Sequence, residues 1–397
     1  MDDRHPTPVR RLWAAVLLGY LALGITLQAL PSYVTDHFGG GSLIAGTAVG
    51  IAFAATACAR PFAGRAADAG RARPVVLAGG VLGALGGFGH LVAPNIPVLL
   101  ASRIVMGVGE AALFSGAIPW ILATTPVERR GRTAGWFGLS MWSGLALGPI
   151  AAVVLDSWAG VNAVWWGVVV AGLVSAVLVL MTPGQPRADG GSALLPSRWR
   201  DIVPVGASLP GLVLGLAAYG YGTISSLLIL FLRHDSLGGE RVALAVFAAA
   251  FLVTRALGSP LVDRWGGETV AWRFLIVQSA GLLVIAVAGA GWVALAGTLL
   301  AGVGVALMYP ATVAITLRRT GPLRPGTSVG IMTSFWDLGI MVAGPLGGLV
   351  ATNGAYPMSF GFAVVAAIAA AVVVAVLTQV GGERGAREKE RTLTRTP

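Results

Sequence analysis

Apolar residues gather along this chain into long runs separated by short polar links. A transmembrane helix needs roughly 20 predominantly apolar residues. Twelve runs qualify: 12–34, 42–63, 74–93, 96–124, 133–155, 160–181, 204–232, 241–262, 272–289, 291–316, 327–351 and 356–380. The ninth and tenth are parted only by "AGAGW", and Pro310 interrupts the tenth. The first, "RRLWAAVLLGYLALGITLQALPSYV", has the basic front of a signal peptide. Its apolar core exceeds the ~7–15 residues of such a leader and no small-x-small cleavage site follows, so it is expected to stay as helix 1.

Composition leads to the same class. Hydrophobic residues make up 56% of the chain, mean hydropathy is +0.80, and the 57 glycines are spread through apolar runs, which fits an integral membrane protein and not a soluble domain. One cysteine, Cys58, leaves no internal disulfide, and four scattered histidines give no metal-ligand spacing. There is no Gly-x-x-x-x-Gly-Lys-Ser/Thr sequence and no cluster of nucleophile and base. Neither an ATP-driven pump nor a membrane enzyme is expected, and no cofactor is called for.

The net charge of +10 raises the question of nucleic acid, but the placement of the charges points to the bilayer. With both termini on one side, all but three of the 27 lysines and arginines fall in links on that side, among them Arg60, Arg65, Arg71, Arg73, Arg129, Arg130, Arg132, Arg187, Arg198, Arg200, Arg255, Arg264, Arg273, Arg318, Arg319 and Arg324. Arg233 and Arg241 face the other way and Arg103 lies inside a span. Such asymmetry over short loops is the positive-inside signal, so both termini are expected in the cytoplasm. Trp13, Trp199, Trp265 and Trp272 fall near that interface, Trp158 and Trp292 near the opposite one. The basic tail, 381–397, reads as a solvated cytoplasmic end resting on anionic lipid. Lys389 is the single lysine, and that bias toward arginine fits a GC-rich genome and a bacterial inner membrane.

Sliding the chain against itself by 195 residues brings "RPFAGRAAD", Arg60 to Asp68, onto "RALGSPLVD", Arg255 to Asp263, and "GVGEA", from Gly107, onto "GVGVA", from Gly302. A shift of 196 brings "GLALGP", ending at Pro149, near "GIMVAGP", ending at Pro345. The fold class expected is therefore all-α, with twelve transmembrane helices in two pseudo-symmetric halves. An N-terminal six-helix bundle spans 1–181, a Gly-, Pro- and Arg-rich cytoplasmic linker 182–202, a C-terminal bundle 203–380 and the tail 381–397. Parallel repeats around a shared site describe a secondary transporter.

These residues resemble the major facilitator superfamily over essentially the whole chain. Gly64, Asp68, Gly70, Arg71 and Arg73 look like its signature after helix 2, with Ala69 at the usual basic position and one residue missing before Gly70. The second copy offers Asp263 and Arg264. An aspartate at a helix end can pair with arginines and with another helix terminus in one arrangement of the halves and release them in the other. That makes this set a candidate conformational latch, against the plainer reading of a topology signal. Arg103, Gly107 and Gly109 resemble a second signature, whose arginine is associated with proton transfer in proton-coupled members. Gly144, Gly148 and Pro149 resemble the antiporter signature, with Ala151-Ala152 in place of the usual Gly-Gly; as packing alone, such small residues bring helices close.

Costly features present in one half alone need a separate reason. Under the repeat Arg103 meets Thr298, Glu110 meets Val305 and Asp337 meets Met141. A charge near the bilayer centre costs ~2.5–3.5 kcal/mol on insertion scales. Glu110 and Asp337 are thus candidates for carrying protons, with Arg103, two turns from Glu110, tuning it or binding an anionic group. The bland alternative is local neutralisation serving assembly. The family's usual cavity helices, 1, 4, 7 and 10, suggest Tyr20, Gln28, Phe114, Tyr219, Tyr221, Met308 and Tyr309 as lining, a mixture suited to amphipathic organic molecules. His90 and Trp336 read as structural or interfacial, and Asp36 and His37 as a solvated loop end. The function expected is proton-coupled export of small organic compounds by a monomer, driven by the proton gradient. Proton-coupled uptake of a metabolite and a non-transporting receptor remain as alternatives.

Overall fold

The computed structural model describes residues 9–123, 125–126, 130–183, 205–320 and 325–393. All but the first two residues of the expected linker, with Arg187, Arg198 and Arg200, lie outside these, as do Arg129 and Arg324. Long apolar sequence in a bilayer must satisfy its backbone within itself, and it does so as helix. Helix α1 is Val9–Phe38, α2 Ser42–Ala66, α3 Ala72–Val92 and α4 Ile96–Ala123. Helices α5 and α6 occupy 130–158 and 161–180. The second half holds α7 Val205–His234, α8 Ala243–Trp265, α9 Gly267–Ala286, α10 Gly291–Thr320, α11 Pro325–Val350 and α12 Tyr356–Leu393. The tail expected to be a solvated end continues α12 as helical backbone to Leu393, through a stretch rich in the helix formers Arg and Glu.

Ten continuous helical stretches among the described residues are long and apolar enough to cross a membrane. Two are too long for one crossing. At about 1.5 Å rise per residue, a 51-residue stretch such as Ser42–Val92 would reach about 76 Å, against a hydrocarbon core of about 30 Å. Each reverses at a glycine in the left-handed region, Gly70 at φ 79° and Gly160 at φ 72°, where a side chain would be strained. The ten stretches therefore resolve into twelve spans. The loops after odd-numbered helices share one end, here called distal, and both termini share the other, here called proximal.

The tenth span breaks at Leu307, φ −97° and ψ 2°, and resumes at Met308, so the interruption expected at Pro310 falls one turn earlier. The cause is still the proline. It has no N–H for the Ala306 carbonyl four residues back. That carbonyl accepts instead from Arg255 Nη1 of α8, at 3.1 Å.

Helix pairs recur between halves. In the first, α1 packs on α5 and α6, α2 on α4, and α3 on α4 and the α5–α6 stretch; in the second, α7 packs on α11 and α12, α8 on α10, and α9 on α10 and α12. Two seams join the halves, α2 against α11 and α5 against α8, with a smaller contact of α1 with α7. The α2/α11 seam is a backbone contact: a Cβ added at Gly46 would fall on the Gly344 carbonyl, one at Gly344 on the Gly46 carbonyl, and one at Gly50 would lie 2.7 Å from Met341 O. Ser42 Oγ donates to Gly348 O at 2.9 Å at its distal end. Beside it Arg233 of α7 grips Asp36 of α1 through two hydrogen bonds of 2.8 and 3.0 Å, so Asp36 is a cross-half tie and not a free loop end. These contacts tie the two halves together at the distal end. At the proximal end Asp68 and Asp263 make no ion pair among the described residues, and Arg73 donates to Leu180 O within its own half.

Candidate functional site

Two cavities lie at mid-height between the halves. The smaller, about 310 Å³, carries the charge: Tyr20 of α1, Phe53 and Arg60 of α2, Glu110 of α4, Met141, Trp142 and Leu145 of α5, and Thr333, Trp336 and Asp337 of α11. Arg60 crosses the seam to Asp337 with Nε 2.5 Å from Oδ2 and Nη2 3.1 Å from Oδ1, the planar fork that suits a guanidinium and a carboxylate. Both side chains are almost wholly buried, at 9% and 1% exposure, so neither has bulk water to solvate it and each depends on the other for a partner. The sequence pattern counts Arg60 and Arg255 among the link arginines that set topology. The structure instead buries both in the bundle, because α2 and α8 each continue past them toward the proximal end.

Glu110 makes no ion pair among the described residues. Its Oε2 lies 3.3 Å from Thr56 Oγ1, which also sits 2.9 Å from the Ala52 and Gly107 carbonyl oxygens. The site therefore holds one carboxylate that is paired across the halves and one that is held by a single hydroxyl.

The larger cavity, about 430 Å³, fills the α5/α8 seam. Trp142, Leu145, Ala146 and Pro149 of α5 face Leu244, Phe247, Ala248 and Phe251 of α8, with Leu27, Tyr221, Ser225, Val305 and Trp336 completing the wall. Arg255 stands one turn from Phe251 with its guanidinium 5.6 Å from the Trp142 ring and 5.5 Å from that of Tyr309. This is the repeat partner of Arg60, and where Arg60 meets Asp337, Arg255 meets Trp142, the neighbour of the Met141 that the repeat places opposite Asp337. One arginine has a counter-ion and the other has aromatic faces.

Of the residues expected to line the site, Tyr20, Tyr221, Glu110 and Asp337 do so, as does Pro149 of the antiporter-like motif. Gln28, Phe114, Tyr219 and Met308 line neither cavity. Phe114 stacks on Phe137, and Tyr309 serves Arg255. Arg103 turns away from the cavities: its Nε donates to Ala48 O of α2 at 2.9 Å and its Nη1 approaches Met106 Sδ at 3.2 Å. Gly144 and Gly148 pack on α1, where a Cβ at either would strike the backbone of Leu17 or Gly24. His90 stacks on Trp165, whereas Trp336 lines both cavities. Sequence reasoning missed Arg60, Trp142, Trp336, Phe247 and Phe251. The available signal was the repeat itself, which placed Arg60 on Arg255 and left Asp337 without a repeat partner.

The family profile of the Major Facilitator Superfamily matches residues 12–295 and 211–397. The chain is 32% identical over 365 residues to the uncharacterized MFS-type transporter YhhS of Escherichia coli K12, spanning 90% of this chain and 87% of that protein. It is 33% identical over 372 residues to an MFS-type transporter of Burkholderia mallei SAVP1, spanning 91% and 89%. Among solved structures, a bacterial homologue of the human lysosomal transporter Spinster, inward-facing and unoccupied, superposes with TM-score 0.74 at 15% identity over 94% of this chain and 96% of that one. The nucleoside transporter NupG superposes with TM-score 0.73 at 12% identity over 93% and 99%. With its duplicated six-helix halves and central cavities, this chain belongs to the Major Facilitator Superfamily, the multi-pass membrane transporters of small molecules.

Proposed function

We propose that this transporter exports small amphipathic organic compounds in exchange for protons. The observation that supports this most is the charged cavity, in which Glu110 and Asp337 lie together while Asp337 is tied to Arg60 of the other half. A proton taken up by Asp337 cancels its attraction for the guanidinium and loosens α11 from α2, so that protonation and the arrangement of the halves are linked. In this reading Glu110, held by a hydroxyl and in no ion pair among the described residues, is the carboxylate that follows substrate and water. Arg103 supports α4 from behind.

In this reading the arginine-rich proximal end faces the cytoplasm of a bacterial inner membrane. The ties across the distal end support reading this arrangement as inward-facing, and Asp68, Arg71, Asp263 and Arg264, which make no ion pair among the described residues, belong to a latch that forms when the halves close on the proximal side. The chain works as a monomer, with the proton gradient as its driving force.

The test is proton release from energised inside-out vesicles on adding lipophilic cations, antibiotics or organic anions, comparing wild type with Glu110→Gln and Asp337→Asn. Release that is lost in either variant supports exchange and names the coupling carboxylate. Substrate movement with unchanged proton release in both variants refutes coupling through these groups, and protons moving in the same direction as substrate make the protein a symporter.

A further inference from the structure

The two cavities share a wall, and that wall is a pair of tryptophans. Trp142 of α5 and Trp336 of α11 line both, with ring centroids 4.9 Å apart and planes at 88°. They stand at near-equivalent places in the repeat, just ahead of Gly144 and Gly339. Each is braced from its far side. Trp142 leans on Phe251 at 5.3 Å and carries the Arg255 guanidinium, and Trp336 stacks on Tyr221 at 5.5 Å and 27°.

The chambers on either side differ in chemistry. The larger has five aromatic rings, Trp142, Trp336, Tyr221, Phe247 and Phe251, and no charged side chain; the hydroxyl of its one serine, Ser225, is already given to Gly222 O at 3.1 Å. An ionised group moved there loses its water and meets no opposite charge in the lining. The smaller holds Arg60, Glu110, Asp337, Thr333 and Tyr20. Trp142, which is 4% exposed and faces both, has a buried indole N–H without an acceptor among the described residues, a donor that a bound molecule can satisfy.

We propose that the chambers are two halves of one substrate site, parted by Trp142 and Trp336: the aromatic chamber takes the ring-bearing body of the substrate and the charged chamber its polar end. This rests on the reading of the cavities between the halves as the substrate site. A molecule that reaches into both chambers must part the two tryptophans that wall them from each other. The class that fits is an aromatic or polycyclic compound with a charged or strongly polar substituent at one end. Because Trp336 immediately precedes Asp337, a ligand that moves the partition also moves the carboxylate that holds Arg60.

The test needs neither a known substrate nor transport, so it can fail separately from the export reading. In the full chain carrying Cys58→Ser, Ser225→Cys reports on the aromatic chamber and Thr333→Cys on the charged one. Each variant is treated with three methanethiosulfonates, benzyl, trimethylammonioethyl and sulfonatoethyl, and rates are normalised to a free thiol. The preference for benzyl over either charged reagent is expected to be about tenfold greater at position 225 than at 333, a selectivity of about 1.4 kcal/mol. Adding Trp336→Ala, or Trp336→Leu should the alanine variant misfold, is expected to bring the two positions within about twofold of each other, while Trp292→Ala, a tryptophan on the outer surface that lines neither chamber, keeps them apart. Equal preferences at both positions overturn the two-chamber site. So does a preference that survives loss of Trp336, or a thiol at 225 that stays inert to all three reagents even then.

Discussion

Between α2 and α11 the halves touch backbone to backbone; between α5 and α8, the pair related to them by the internal repeat, ring faces stand apart around a cavity. The first seam is held by Gly46 against Gly344, by Ser42 on Gly348 and by the Arg60 and Asp337 fork. The second has no glycine on its α8 face until Gly258, and Arg255 there binds ring faces and one carbonyl. A duplicated chain has thus kept an arginine at one place in both copies and changed what it meets. The lesson is that one seam is closed by backbone contact and an ion pair, whereas the other is lined by rings around open space.

The largest break in this comparison is expected from Arg60→Met. Removing one member of a buried pair leaves the other charge unpaired, a cost of about 3–5 kcal/mol. Arg60→Met with Asp337→Leu should recover most of it. Arg255→Met is expected to cost less, about 1–2 kcal/mol, since it forfeits cation–π contact and a hydrogen bond but strands no charge. Unfolding free energies in mixed micelles decide the order, and an Arg255 variant as costly as the Arg60 variant would erase the distinction between the seams. Next in size, Gly46→Val should destabilise by about 1–3 kcal/mol or more because its methyls have only backbone to meet. Ala248→Val, directed at the larger cavity, should stay within about 1 kcal/mol by the same measurement. The smallest effect belongs to Asp36→Asn at the distal end. Its pair with Arg233 is about half exposed on both sides, and such pairs contribute about 0–1 kcal/mol. Its signature is a loss that shrinks as salt is added.

Much of the architecture was legible because the bilayer demands it. Twelve apolar runs and the expense of Glu110 and Asp337 follow from length and charge, and the repeat from stretches of sequence that recur at one offset. Arg60 was not legible as a core residue, since a hydropathy window ends where arginines begin and nothing local marks a partner 277 residues away. The aromatic chamber stayed hidden for another reason. Trp142, Phe247, Phe251 and Trp336 sit on helices 5, 8 and 11, and an apolar face turned to a seam has the same sequence as one turned to lipid. The lining inferred from helices 1, 4, 7 and 10 therefore captured Tyr20 and Tyr221 but also Gln28, Phe114, Tyr219 and Met308, which the bundle uses elsewhere.

The Arg255 bond to the Ala306 carbonyl has a further consequence, in the order in which changes can accumulate. Pro310 leaves that oxygen vacant and Arg255 fills it, so the two positions are epistatic. Losing the arginine first strands a buried acceptor. Losing the proline first restores an amide that competes for the oxygen and sets the guanidinium loose beside the aromatic chamber, a single-step route by which a descendant of this transporter could come to hold anionic cargo.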